Sequence, residues 1–494
     1  MTALDPRGSS GEPPDTLGGL VRSPAGPGPA VVIDDLCADP VDAKALAGHV
    51  AAVCARLRAA GVDTGAVIAV RVGQDAASVV ALLAAAAYGT AVPVAADAPE
   101  LPAGPFEIRA LVTGVPPAGA GSPADREVVT VDASDLAVLP PGDAAAVPVR
   151  APAEPALLLC TSGTTGDPKW VRLSQRNLVA AGTFIAESLR LTPADRGLSM
   201  MPLHHGHGIT AGVLAPLLSG GELVIIDSSD LAFLQEGLRG GITWYSAAPT
   251  VHASMLVAKR SWPEWFRSFR PRVIRSTSEA LPAADRARLE AEFAAPVIEA
   301  YALTEVPGHA CTQVLGTAAE PGWMPPQAGV EVETVDPDGR PTGPGVPGRI
   351  RVRGPNVMLG YVGHEPVAPG GWYPTSDIGV RRPDGPVSVL GRDSEAIKRG
   401  GETIAPAVVE SLVEKHPDIE RARACGVPHA SLGEQICVAV ISGRGAAAAG
   451  ELLRDLRTML PANLTPSRLR VVDAFPGSPG GKVRRSDLRP LFAE

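Results

Sequence analysis

Between Ala43 and Ile226 short apolar runs alternate with segments of helical period, and this alternation leaves few folds open to the chain. An alanine-rich helix over 43–60, closed by Gly61, leads into a strand at Ala66–Val72. Helix 77–88 and strands 91–95 and 109–113 follow. A Pro-, Gly- and Ala-rich connection covers 114–155, with one strand near Glu127–Val131. A second series then runs strand Leu157–Cys160, helix Gln175–Leu191, strand Gly197–Met201, helix Gly208–Leu218, strand Leu223–Ile226. Leu178, Ala181, Ile185 and Leu189 share one helical face, which assigns it to a core. Such succession builds parallel sheets covered by helices. The chain therefore reads as α/β, with a large N-terminal domain of two α/β subdomains. From Gly329 to Tyr361 the period shortens to alternation between Pro/Gly turns (Val330-x-Val332, Ile350-x-Val352), which predicts a β-barrel. Beyond Gly391 the pattern changes to helix 406–415, strand 436–441 and helix 449–460, a small α+β C-terminal domain. Residues 1–29 hold twelve Gly or Pro and read as a flexible tail.

Composition narrows the function. Of 494 residues 45% are hydrophobic and 20% charged, which suits packed cores and rules out wholesale disorder. The net charge of −9 argues against a nucleic-acid binder or a polybasic membrane binder. The six cysteines include no C-x-x-C pair, so a reduced, cytoplasmic compartment is expected. The longest uncharged stretch, Ala76–Ala96, reads as a helix running into a strand rather than a membrane span. Residues 1–30 contain no apolar core of a secretory signal.

The sharpest local signal is Thr161-Ser162-Gly163-Thr164-Thr165-Gly166-Asp167-Pro168-Lys169, with two glycines, four hydroxyls and a lysine in nine residues. Glycines let backbone N–H groups approach anionic oxygens, hydroxyls add donors, and lysine adds a point charge. A polyphosphate suits this set; a polar hairpin turn is the plainer reading. The spacing is not that of a Walker A loop. Only six of the 44 basic residues are lysine, and Lys169, Lys398 and Lys482 fall in chemically suggestive segments. Three of nine histidines cluster at His204, His205 and His207, without a metal-ligand spacing.

Six segments in order resemble the motifs of the adenylate-forming superfamily of acyl-CoA synthetases, adenylation domains and luciferases. They are the 161–169 loop, Met201–Gly208, Tyr301-Ala302-Leu303-Thr304-Glu305, Gly371–Asp377, Gly391–Glu402 and Pro479-Gly480-Gly481-Lys482-Val483-Arg484. Within that superfamily Pro202–Glu305 most resembles the oxalate and medium-chain acyl-CoA ligases. The resemblance implies an AMP-binding N-terminal domain over 30–390, a hinge at 391–394 and a mobile C-terminal domain over 395–494. It implies Mg·ATP-dependent conversion of a carboxylic acid to an acyl-adenylate, then transfer to a thiol, coenzyme A above others.

By motif position Thr161, Ser162, Gly163, Thr164, Thr165 and Lys169 are expected to hold the β- and γ-phosphates. Thr304 is expected at the α-phosphate and Glu305 on Mg²⁺. Ser276, Thr277, Ser278, Glu279 and Ala280, with Tyr301, are expected to frame the adenine. Asp377 is expected on the ribose hydroxyls, with Arg392 supporting ribose and phosphate. Lys482 is expected to act in the first half-reaction and Lys398 in the second. His205 and His207 are expected near the acid, with Gly308 and His309 lining it. Taken singly, each charge also reads as a turn cap or a solvated side chain; the ordered set favours the chemical reading.

Several positions depart from the pattern: Trp170 for a glycine, Ser394 in the hinge, Asn463 for a lysine, and Gly308 for a histidine of the oxalate ligases. Reading Gly308 as a freed volume beside Val306 and Pro307 predicts a small to medium acid with an apolar part, not oxalate. Two other readings stay open: an adenylating enzyme that serves a carrier protein, an amine or a nitrite-type reaction, and an inactive nucleotide-binding protein.

Overall fold

The computed structural model describes residues 14–23, 33–35, 40–115, 129–136, 139–161, 169–227, 231–400, 402–476 and 485–493. The chain divides into two compact units. The first runs to Val332 and adds Val352–Tyr373; the second comprises Glu333–Arg351 and Pro374 onward.

Two seven-stranded sheets build the first unit. One orders its strands Val129–Asp132, Ile108–Thr113, Val67–Val72, Thr90–Ala95, Pro155–Thr161, Lys169–Ser174 and Gly360–Tyr361. The first five are parallel, and Lys169–Ser174 runs antiparallel to both of its neighbours. The other orders Ile33–Asp35, Glu222–Ile225, Arg196–Ser199, Trp244–Ala247, Val273–Ser276, Val297–Leu303 and Val306–Thr312, parallel except for the last. These are the two expected α/β layers.

The helices start where their caps dictate. Asp42 accepts from Ala45 N and opens Ala43–Ala59; Asp75 accepts from Ser78 N and opens Ala76–Tyr88. Every residue of Ala76–Tyr88 is buried, so the uncharged stretch is a helix packed inside the protein. No helix of the described residues is long and apolar enough to cross a membrane. Helix Gln175–Ser188 begins with a reciprocal Ser174/Asn177 capping box, and Leu178, Ala181 and Ile185 are buried as the periodicity demands.

The expected tail is not wholly loose. Leu17–Arg22 is a helix capped by Thr16, with Leu17, Leu20 and Val21 buried. Leu17 N donates to Gln175 Oε1 at 3.0 Å. Glycine and proline content pointed to flexibility, but three apolar residues on one turn outweigh it by burial. The expected helix over Gly208–Leu218 is also wound differently. Gly208–Leu214 is a π-helix, followed by an α-helix at Ala215–Ser219.

Where a barrel was expected, strands Glu331–Val335, Gly348–Arg353, Tyr373–Arg381 and Val387–Arg392 form a four-stranded sheet. Further along, Gly433–Ile441 lies between Arg421–His429 and Ile397–Arg399, and Arg468–Val471 pairs beside it. Helices Pro406–Val413 and Ala449–Met459 bury Val409, Val413, Leu452 and Leu456 against Ile436, Val438 and Val440. This is the expected α+β arrangement.

Candidate functional site

Thr161 and Lys169 face each other across the hairpin, and Thr161 Oγ1 donates to the Lys169 carbonyl at 3.3 Å. They fix the neck of the glycine-rich loop. Ser162, Gly163, Thr164 and Thr165 lie outside the described residues. Trp170, which replaces the family's glycine, is 9% exposed and meets Phe106 edge-on at 4.9 Å, anchoring the strand just after the loop. Lys169 is exposed, with Nζ 5.2 Å above the Tyr361 ring.

Thr304 and Glu305 are the two-residue turn between Val297–Leu303 and Val306–Thr312, since Leu303 pairs with Val306. Both stay partly exposed. Tyr361 Oη donates to Glu305 Oε1 at 2.6 Å and lies 3.1 Å from Tyr373 Oη. Burial, reinforced by the Glu305 charge, pushes both phenols upward, so both remain protonated. No group of three or more metal-ligating side chains occurs among the described residues. A lone carboxylate suits Mg²⁺, which takes one or two carboxylates and completes its shell with phosphate oxygens and water.

Beyond strand Val273–Ser276 the chain turns sharply: Ser278 holds φ +76°, a left-handed conformation uncommon outside glycine. Ser276 and Thr277 are buried; Thr277 Oγ1 donates to Ala300 O at 2.8 Å, while Ser276 Oγ has no partner among the described residues. Ser278, Glu279 and Ala280 are exposed, and Tyr301 is buried at the end of the neighbouring strand.

His205 and His207 lie just before the π-helix, with His207 at its N-cap. The His204 and His205 rings lie 4.2 Å apart, tilted by 50°, and burial lowers both pKa values. His207 Nε2 lies 2.8 Å from Ser246 Oγ, and Nδ1 lies 3.2 Å from Ser278 Oγ. Arg275, 1% exposed, donates to Ser246 Oγ at 3.0 Å and to Gly308 O at 2.7 Å. Guanidinium only donates, so Ser246 Oγ accepts from Arg275 and keeps a lone pair and its hydrogen for His207 Nε2, on either tautomer of the ring. The His207 ring therefore bridges Ser246 and Ser278. Ser278 is the exposed end of this polar chain. Burial, followed by the Arg275 charge, holds His207 far below its ordinary value, consistent with a neutral ring. Burial also pushes Arg275 down to about 9.

Two expected acid contacts need correction. Gly308 is no freed volume. It is buried at φ +78°, and a Cβ there would lie 2.7 Å from Ala181 O and 2.8 Å from Ala181 Cα. His309 is 0% exposed, bonds Gln327 Oε1 through Nε2 at 2.9 Å, and is pushed down to about 3 by burial and by Arg275. Strand Val306–Thr312 packs on helix Gln175–Ser188, which fills the space the sequence left open. Sequence reading missed Arg275, Ser246 and Tyr361. The one available signal was an arginine inside the apolar run Val273–Ser276.

In the second unit Asp377 and Arg392 are direct cross-strand partners, with Oδ1 and Nε 3.8 Å apart. Asp377 is buried and its N–H donates to Thr375 Oγ1. Lys398 Nζ pairs with Asp393 Oδ1 at 3.1 Å, and Arg349 approaches the same carboxylate at 3.1 Å. Partial burial would raise Asp393, but the bonds and charges of Lys398 and Arg349 outweigh it and hold the carboxyl below its usual range. Lys482 lies outside the described residues.

Residues 43–362 match the family described as AMP-binding enzyme, and 408–482 match AMP-binding enzyme C-terminal domain. The chain belongs to the AMP-binding enzyme family. It is an AMP-forming acid–thiol ligase, which uses ATP to make an acyl-adenylate and passes the acyl group to coenzyme A. The ligase is 37% identical to a sulfoacetate–CoA ligase of Cupriavidus necator over 372 residues, covering 73% of this chain and 72% of that one. It is 34% identical to an oxalate–CoA ligase of Arabidopsis thaliana over 380 residues, covering 74% and 72%. Its fold matches ATP-bound MatB from Rhodopseudomonas palustris with a TM-score of 0.82, at 23% identity, over 97% of this chain and 99% of that one.

Proposed function

We propose that the ligase activates a short, polar carboxylic acid other than oxalate and transfers it to coenzyme A. The observation that supports this is the polar chain from Arg275 through Ser246 and His207 to the exposed Ser278, with no room for an apolar group at Gly308. Relatives named for sulfoacetate and oxalate favour a short acid. Gly308 lacks the imidazole of the oxalate-type pattern, which disfavours oxalate itself. The apolar part expected from sequence is given up, because helix Gln175–Ser188 occupies its volume.

In the first half-reaction a carboxylate oxygen attacks the α-phosphorus and pyrophosphate leaves. The attack brings an anion toward an anionic nucleotide, so pre-placed cations and donors carry the catalysis. Thr161, Ser162, Gly163, Thr164, Thr165 and Lys169 hold the β- and γ-phosphates, and Thr304 meets the α-phosphate. Glu305 holds Mg²⁺, which screens phosphate charge when bound. Ser276, Thr277, Ser278, Glu279, Ala280 and Tyr301 border the adenine, while Asp377 accepts from the ribose hydroxyls and Arg392 steadies it. His205 and His207 face the acid, and Lys482 bridges its carboxylate and the α-phosphate. In the second half-reaction the thiol sulfur attacks the acyl carbon, loses its proton, and AMP leaves; Lys398 serves this step. The exchange of the two lysines calls for a hinge at 391–394.

The test is pyrophosphate release with oxalate, malonate, sulfoacetate, propionate, octanoate and benzoate, each with and without coenzyme A. Acyl-CoA is identified by mass. The expected result is a best kcat/KM for a short polar acid and a thioester product. A best value for octanoate, benzoate or oxalate, or adenylate that accumulates despite coenzyme A, overturns the reading.

A further inference from the structure

Residues Met358–Val362 touch both halves of the phosphate site. Met358 N donates to Glu305 O at 2.9 Å, and Val362 N donates to Trp170 O at 2.9 Å. Between them Gly360 and Tyr361 pair with Arg172 and Val171, on the strand that begins at Lys169. The pairing leaves Tyr361 with two contacts of different chemistry. Its hydroxyl reaches Glu305 Oε1 at 2.6 Å, and its ring lies 5.2 Å beneath Lys169 Nζ.

A carboxylate only accepts, so the Tyr361 proton is committed to Glu305. Tyr373 Oη, 3.1 Å away, also interacts with Glu305 directly, so its proton is shared between Tyr361 Oη and the carboxylate. Both phenols thus serve Glu305, Tyr361 through the 2.6 Å bond and Tyr373 beside it, and the linked bonds strengthen one another. A carboxylate has about four acceptor sites, so this arrangement fixes its rotation and leaves sites for a metal. Losing a neighbour that orients a metal-bound carboxylate typically costs about 10- to 100-fold in metal affinity. On its other side the ring's negative face holds an exposed ammonium that would otherwise sweep several rotamers.

We propose that Tyr361 is a positioning residue that aligns the Glu305 carboxylate for magnesium through its hydroxyl and Lys169 for phosphate through its ring. The proposal rests on Glu305 as the magnesium ligand. It divides the side chain into two separable parts. Tyr361→Phe keeps the ring and removes only the hydroxyl. Tyr361→Leu removes both.

The test is ATP binding by titration calorimetry, without any acid, in excess EDTA and at stepped magnesium concentrations. Thermal melts of each variant monitor folding. In the wild type magnesium should tighten ATP binding. Tyr361→Phe should raise the magnesium needed for half of that gain by roughly 10- to 100-fold and leave the affinity in EDTA within about twofold. Tyr361→Leu should also weaken ATP in EDTA, by about two- to fivefold, the loss of one exposed cation–π contact. Tyr373→Phe should act as Tyr361→Phe does, more weakly. Glu305→Gln separates the two layers of the argument. If it abolishes the magnesium gain while Tyr361→Phe leaves the gain unchanged, the positioning role is wrong and Glu305 keeps its assignment. If Glu305→Gln leaves the gain intact, or the wild type shows none, the metal assignment fails and the proposal with it. If Tyr361→Phe weakens ATP equally with EDTA and with magnesium, the hydroxyl acts on the fold and not on the metal.

Discussion

His252 and His309 are buried inside the first unit, and each is held neutral. Burial pushes His252 down to about 4, and burial with Arg275 pushes His309 down to about 3, from an ordinary 6.5. The unfolded chain binds these protons once pH falls below 6.5, while the native protein refuses them until near 4 or 3. These groups therefore cost nothing above pH 6.5 and withdraw stability progressively as pH falls from there. Each proton bound only by the unfolded chain is worth about 1.4 kcal/mol per pH unit. Melting temperature should drop steeply between pH 6.5 and 4, and His309→Gln should flatten that drop. An identical slope in the variant would show that His309 does not contribute. The burial of neither was legible in the sequence, because it comes from strands that pair far apart in the chain.

The contact between helix Gln175–Ser188 and strand Val306–Thr312 shows what element packing adds. Its helical half was legible: the 3.6-residue spacing of Leu178, Ala181 and Ile185 assigns the buried face correctly. Its strand half was not. A glycine in sequence reads as missing bulk, whereas here it is a site where two backbones touch at φ +78°. Gly308→Ala should be severe for so small a change. Left-handed strain costs about 1–2 kcal/mol and overpacking about 1–3 kcal/mol, giving a loss of roughly 2–5 kcal/mol in urea unfolding. A loss under about 1 kcal/mol would mean that the helix yields. The same limit explains the π-helix at Gly208–Leu214, since apolar spacing in seven residues does not separate one helical winding from another.

For the molecule as a whole, ordered motifs carried the fold class and family, because backbone-driven loops and rare lysines survive as local strings. What they left out, Arg275, Ser246 and Tyr361, acts only through long-range pairing. The expected division of labour between Lys482 and Lys398 can be measured directly. Lys482→Ala should reduce pyrophosphate release on the order of 10²–10³-fold, the cost of one transition-state donor, yet spare thioester formation from supplied acyl-adenylate. Lys398→Ala should do the reverse. Equal losses in both half-reactions for either variant would mark that lysine as structural. The path of the chain carries one more consequence, for anyone recombining such enzymes. The second compact unit is discontinuous: Glu333–Arg351 comes early, and Val352–Tyr373 returns to the first unit before Pro374. A single gene crossover at Gly391 would leave Arg349 with one parent and its partner Asp393 with the other. The unit is not a cassette, and a chimera that keeps it whole needs three junctions rather than one.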